Sequence, residues 1–268
     1  RVRDLDAKLR RQAGDHDGAE AASRQALAYV DALLAELPQH ANALSIRAAA
    51  LNTLAFTLQR QPARREEARV LYADAVATLR RLVALDDRAV SARGNLATSI
   101  SNLGAMCYED RDFAGALPFF RETAELLEAV RADAPEDTRW PKVLANTWHY
   151  LGRLADEQRD HAATLDAAER VAAAQPDDPL MQRIAGMLVA GACRHLRDDA
   201  SVPPADRARR LESASQRCLA LLERAGALGC TDHEFLATNE WFAAVRGMAG
   251  FDAIVERMRQ NAEAGAGR

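Results

Sequence analysis

The feature that most restricts how this chain can fold is a spacing. Leu54-Ala55, Leu103-Gly104 and Leu151-Gly152 recur at steps of 49 and 48 residues, and one more step back from Leu54 reaches Leu5 in the run Leu5 to Ala13. About thirteen residues after each of these comes a small residue: Ala19, Ala68, Ala116 and Thr164. Four residues further on lie Ser23, Tyr72, Phe120 and Ala168, and three more give Ala26, Ala75, Thr123 and Val171. Offsets of four and three belong to one face of an α-helix. A Leu-small pair on one helix, then a small–large–small stripe on the next, predicts a series of antiparallel helix pairs.

The breaks in the pattern agree. Gly14-Asp15-His16-Asp17, Gln61-Pro62, Asp110-Arg111-Asp112 and Arg159-Asp160 fall between the two helices of a unit. Leu37-Pro38, Asp86-Asp87, Ala134-Pro135 and Gln175-Pro176 fall between units. Asp suits the N-cap and Pro stops the preceding helix. The pattern predicts helices near 3–13, 18–37, 41–60, 64–85, 88–109, 113–133, 137–158, 161–174, 178–197 and 204–226. Two or three short helices are expected from Thr231 to about Gln260, with a frayed tail from Asn261 to Arg268. Composition points the same way. The chain is 49% hydrophobic but only 5% aromatic, Ala makes up much of the rest, and Ile occurs only at Ile46, Ile100, Ile184 and Ile254. Ala favours helix, and a large sheet needs the β-branched residues that are scarce here.

On these residues the chain resembles the tetratricopeptide-repeat family. Asn102-Leu103-Gly104-Ala105-Met106-Cys107-Tyr108, followed by Asp112-Phe113, Ala116 and Phe120, looks like one repeat. Tyr150-Leu151-Gly152 through Asp160, Thr164, Ala168 and Pro176 resembles another, and Leu54-Ala55 with Ala68, Tyr72 and Ala75 is a fainter copy. The period exceeds the usual ~34 residues. No unit has Trp at the family's usual place early in its first helix, and Thr164 stands where Ala is usual. The extra length fits longer helices, as in kinesin-light-chain-like members. A weaker resemblance joins Gly229, Leu236, Phe242, Val245-Arg246 and Phe251 to the closing segment of tetratricopeptide regions in bacterial eukaryotic-like Ser/Thr kinases. It implies a regulatory region of a larger bacterial protein. The amino end, without Met, and the almost complete use of Arg over Lys fit an excised domain from a GC-rich genome.

Several function classes are disfavoured. Net charge is −4, which lacks the basic footprint of a nucleic-acid binder. The longest apolar run, Ile184 to Cys193, is too short to span a bilayer. Cys107, Cys193, Cys218 and Cys230 are scattered, so they read as reduced thiols of a cytoplasmic protein. Cys193-Arg194-His195 and Cys230-Thr231-Asp232-His233 lack zinc-ligand spacing, and no metal or cofactor is expected. No nucleophile elbow, phosphate loop, Glu-x-x-His pair or kinase motif occurs, so no catalysis is expected in the chain. Arg64-Arg65, Arg80-Arg81 and Arg209-Arg210 read as solvated helix faces. Trp148 is expected to fill the gap between the third and fourth units, and Trp241-Phe242 with Phe251 to close the apolar end.

The expected fold is therefore all-α: a right-handed α-solenoid of tetratricopeptide-like helix pairs over residues 1–200, a final helix and capping helices over 201–260, and a flexible tail over 261–268. Stacked pairs expose their first helices on a concave face. In this register that face carries Asn52, Phe56 and Gln59; then Thr98, Ser101 and Tyr108; then Asn146, His149, Arg153 and Asp156. Mixed polar and aromatic groups suit an extended or helical peptide, so the partner expected is a protein or peptide. The chaperone-tail clamp of some family members uses Lys and Asn, and only Asn52, Asn146 and Arg153 are available here. A small-molecule or peptide sensor, and a structural or homodimerisation module, stand as alternatives.

Overall fold

The computed structural model describes residues 15–266. The helix expected near residues 3–13, with Leu5, lies outside them. Packing divides the chain into two compact units, one ending at Trp140 and one beginning at Pro141.

The first unit holds α1 (His16–Glu36), α2 (Ala41–Leu58), a 3-10 turn (Pro62–Arg64), α3 (Arg65–Leu85), α4 (Val90–Glu109) and α5 (Phe113–Asp133). Each helix packs on the next, with α2 on α3 and α4 on α5 as the tightest hairpins. Asp15 and Asp112 cap α1 and α5 by accepting from Gly18 N and Gly115 N, both at 2.9 Å. At the corresponding place in the intervening pair stands Arg64, which makes no side-chain cap. The 3-10 turn opened by Pro62 leads directly into α3 instead. After α4 the chain turns through Arg111, whose φ of 62° is left-handed, and Asp112 N bonds Cys107 O at 2.9 Å. That closure satisfies helix-end carbonyls otherwise left open.

The repeat positions form the core. Ala19, Ser23, Ala26, Ala68, Tyr72, Ala75, Ala116, Phe120 and Thr123 are all buried. Their sizes compensate: Phe120 reaches Gly104, where a Cβ would lie 3.0 Å from its ring. Each ring of this kind contributes about 1.5–3 kcal/mol by burial. Thr123 is accommodated because its hydroxyl donates to Phe119 O and Ala97 O at 2.9 and 3.3 Å. Trp140 lies over Gly94, where a Cβ would meet its ring at 2.3 Å. The Arg doublets do more than coat a face. Arg64 bonds Glu20 at 2.8 Å, and Arg65 bonds Asp110 and Glu109 at 2.9 and 3.0 Å, so consecutive pairs are tied by ions.

The second unit holds α6 (Pro141–Glu157), α7 (His161–Ala174), α8 (Pro179–Asp198), α9 (Pro204–Ala227), α10 (His233–Thr238), a 3-10 turn (Glu240–Ala244) and α11 (Phe251–Ala266). Asp160 caps α7 by accepting from Ala163 N at 3.0 Å. Arg159, at φ 58°, repeats the left-handed turn. Thr164, Ala168 and Val171 are buried, and the Thr164 hydroxyl donates to Asp160 O at 2.8 Å, which explains Thr in place of Ala. The run Ile184–Cys193 is the centre of the unit: α8 packs against α6, α7, α9 and the 3-10 turn, and the whole run is buried.

Three differences from expectation stand out. The helices on either side of residue 200, α8 and α9, pack closely, and the division falls at residues 140 and 141 instead. The frayed tail expected from Asn261 is helical through Ala266, because the Asn261 amide donates to Gly226 O and Cys230 O at 2.8 and 3.0 Å. The third is the position of Trp241. Phe242 and Phe251 are buried as a cap requires, but Trp241 folds onto α8 over Gly191, where a Cβ would lie 2.7 Å from its ring. Among the described residues no strand occurs, and no helix is long and apolar enough to cross a membrane.

Candidate protein-binding faces

In the first unit the expected residues lie on α2 and α4. Asn52 reaches across to α4, its amide donating to Ser99 Oγ at 2.8 Å. Phe56, one turn later, is 40% exposed. Gln59 accepts from the Tyr72 hydroxyl at 3.2 Å, so it is partly committed to the core. Phe56 and Gln59 line a cavity of about 510 Å³ with Arg60, Pro62, Arg65 and Glu109. Arg65 fixes one wall, bonding Glu109, Asp110, Met106 O and Gln59 O.

On α4, Thr98 is half-buried and bonds back to Gly94 O at 2.9 Å. Ser101 is buried and does not belong to an open face. Helical spacing carries the accessible stripe from Asn95 and Thr98 to Asn102 and Ala105, all of which keep exposure. A step of four from Thr98 finds Asn102, whereas a step of three lands on the buried side of the helix. Tyr108 is half-buried against Phe113, ring centroids 5.2 Å apart.

In the second unit, Asn146, His149, Arg153 and Asp156 follow one stripe of α6, but the chain itself covers part of it. Asp156 is buried, with Oδ1 2.9 Å from His195 Nε2 and Oδ2 3.3 Å from Arg194 on α8. It is an internal ion-pair partner, not an open groove residue. Trp241 receives two guanidinium groups on its ring: Arg153 at 5.1 Å and Arg194 at 5.4 Å from the centroid. Arg183 of α8 lies 4.5 Å over Phe235 and reaches Asp232 at 2.8 Å. His149 stacks on Tyr150 at 5.7 Å, and burial, then Arg153 and Arg183, hold the pKa of its imidazole down to about 4. Trp148 carries Arg170 over its ring at 4.3 Å.

The α6 stripe is therefore a basic, aromatic-backed surface assembled with α8 and the C-terminal segment. Sequence spacing finds its α6 residues but not Arg183, Arg194, His195 and Trp241. Nothing in a helical period announces contacts between Gly191 and a residue 50 positions later. The four thiols are buried and unpaired with one another; Cys193 Sγ lies 3.8 Å from Ser215 Oγ.

These helix pairs have counterparts in known proteins. The tetratricopeptide repeat family model matches residues 96–131. Among solved structures, the MamA protein is similar at 18% identity, with 89% of this chain and 94% of that one covered and a TM-score of 0.43. BtubC from P. vanneervenii is similar at 19% identity, covering 98% and 79%, with a TM-score of 0.47. The TPR2AB domain of yeast Sti1, in complex with pHSP90, shares 14% identity over 96% and 97%, with a TM-score of 0.28. No curated protein matches the sequence. The matched segment spans most of α4 and α5, whose Gly104–Phe120 contact is the local form of the pattern repeated along the chain. Residues 96–131 thus match a tetratricopeptide repeat, and they form one helix pair among the consecutively packed helices of the described residues.

Proposed function

We propose that the chain is a protein–protein interaction module whose first unit takes an extended or helical peptide on the face of α2 and α4. The observation that carries this is Phe56: a large aromatic, 40% exposed, at the rim of a cavity of about 510 Å³ whose wall Arg65 holds rigid. Aromatic anchors seated at pockets dominate binding energy at such surfaces. Asn52 and Gln59 lie one turn to either side of Phe56, and Asn102 stands on the accessible stripe of α4. The Asn102 amide, and the Gln59 NH2 left over from its bond with Tyr72, are able to bond a peptide backbone, while Asn52 is held to Ser99. No catalytic step is assigned to the chain. Its accompanying role, a regulatory region of a larger bacterial protein, follows from the C-terminal resemblance and is tested by the flanking coding sequence.

The direct test is a peptide selected from a displayed random library against the intact protein, then titrated against Phe56→Ala. Binding about tenfold weaker or worse, with helicity unchanged, supports the reading. Equal affinity for the two proteins overturns it.

A further inference from the structure

The Arg209-Arg210 doublet of α9 borders a cavity of about 500 Å³ between α7 and α9, the second helices of their pairs. Both helices pack on α8 and scarcely on each other. The cavity follows α7 from His161 to Glu169 and α9 from Arg209 to Arg217, two turns or about 12 Å of each. Its floor is apolar: Leu196 and Ala214 are buried, and Leu165 is half-buried. In the first unit ion pairs lace one second helix to the next, Arg24 to Glu67 and Arg80 to Glu122, each at 2.9 Å. Between α7 and α9 the lacing pair is Arg217 with Glu169, at 2.7 and 2.6 Å, and it stands at one end of the cavity. Toward the other end Ala162 and Ser213 are short, and the space over the floor stays open.

Three guanidiniums face this cavity against one carboxylate, Glu169. Glu169 answers Arg217, and Asp206 answers Arg209 at 2.9 Å. Among the described residues Arg210 has no ion-pair partner, so one positive charge is left at the open end. Ser213, three residues on, offers a hydroxyl on the same helix face. Cavities of about 300–1,000 Å³ with apolar walls and a few polar groups take whole small molecules. An apolar chain fits the floor, and a head of one negative charge fits Arg210. We propose that this cavity binds a free medium-chain fatty acid, its chain over Leu165, Leu196 and Ala214 and its carboxylate at Arg210. A partner helix would have to run past the Arg217–Glu169 bridge, whereas a short acyl chain ends before it. The site goes beyond the peptide-binding reading, lies in the other unit and does not rest on it.

The test titrates the intact protein with octanoate, hexanoate and the neutral 1-octanol, and follows the methyl NMR signals of Leu165 and Leu196. Saturable shifts of these two residues are expected with octanoate. Each buried methylene strengthens binding about fourfold, so octanoate binds about tenfold tighter than hexanoate. It also binds about tenfold tighter than 1-octanol, and Arg210→Gln removes that second advantage. Ser213→Trp fills the cavity from an exposed position and abolishes binding, while Arg121→Gln on α5 leaves it unchanged. Octanoate no tighter than hexanoate or 1-octanol, shifts confined to other methyls, or full binding by Arg210→Gln or Ser213→Trp overturns the site. A library-selected peptide that shifts Leu165 and Leu196 where octanoate does not overturns it too, and assigns the cavity to a polypeptide. The comparisons among the three small molecules need no substitution, so they decide even where a variant fails to fold.

Discussion

Trp241 and Arg153 face each other with the guanidinium carbon 5.1 Å from the indole centroid, which joins α6 to a turn 88 positions later in sequence. Arg194 adds a second guanidinium to the ring, and Gly191 gives the ring room to settle on α8. Trp241→Ala removes both cation–π contacts and opens a void above Gly191. We expect a loss of about 2–4 kcal/mol in urea unfolding, with Trp241→Phe intermediate. An unfolding midpoint unchanged by Trp241→Ala would mean that the stack stabilises nothing.

Two glycines on helices make opposite predictions. Gly94→Ala gains about 1 kcal/mol of helix propensity but drives a methyl into the Trp140 ring, at 2.3 Å before any relaxation. Net destabilisation of about 1–3 kcal/mol is expected. Gly265→Ala on α11 meets nothing within 4 Å and is expected to stabilise by up to about 1 kcal/mol. Thermal melts of the two variants give the comparison, and equal shifts would contradict it.

Asp112 acts on stability through one local bond at the start of α5. Asp112→Ala frees Gly115 N and should cost about 1 kcal/mol, whereas Asp112→Asn keeps an acceptor and costs less. Chemical denaturation of the pair checks the order, and equal costs would assign Asp112 another role.

His149 makes the fold acid-sensitive. Its pKa is lowered from the usual 6.5 to about 4, so the native state favours the neutral ring and the unfolded chain binds the proton more readily. The associated stability is complete above about pH 6.5 and falls as pH drops toward 4, by about 3 kcal/mol in all. The carboxylates with lowered pKa, such as Asp137 at about 2, lose their contribution at lower pH. His149→Gln should flatten the slope of stability between about pH 6.5 and 4.5. A slope unchanged by the substitution would place the sensitivity elsewhere.

The core and the caps are legible in the sequence; the shape of the binding faces is legible only in part. Positions such as Ala68, Tyr72 and Ala75 are fixed by contacts between helices close in sequence, so a helical period reveals them. Asp15, Asp112 and Asp160 show as caps because capping is a local hydrogen bond. What escapes a reading of the sequence is set by distant packing or by a single step of helical phase. Ser101 and Asn102 differ by a turn of about 100°, which puts one in the core and the other on the open face. Asp156 has the look of a surface acid, yet α8 brings Arg194 and His195 to it. Asn261 has the look of a frayed end, yet its amide finds the carbonyls of Gly226 and Cys230.

Peptide binding on the face of α2 and α4 around Phe56 is most directly tested by hydrogen–deuterium exchange of the intact protein, with and without a library-selected peptide. Added protection is predicted in residues 49–60 of α2 and its following turn and in residues 95–109 of α4, lost with Phe56→Ala. Protection confined to other helices, or unchanged by Phe56→Ala, would contradict it.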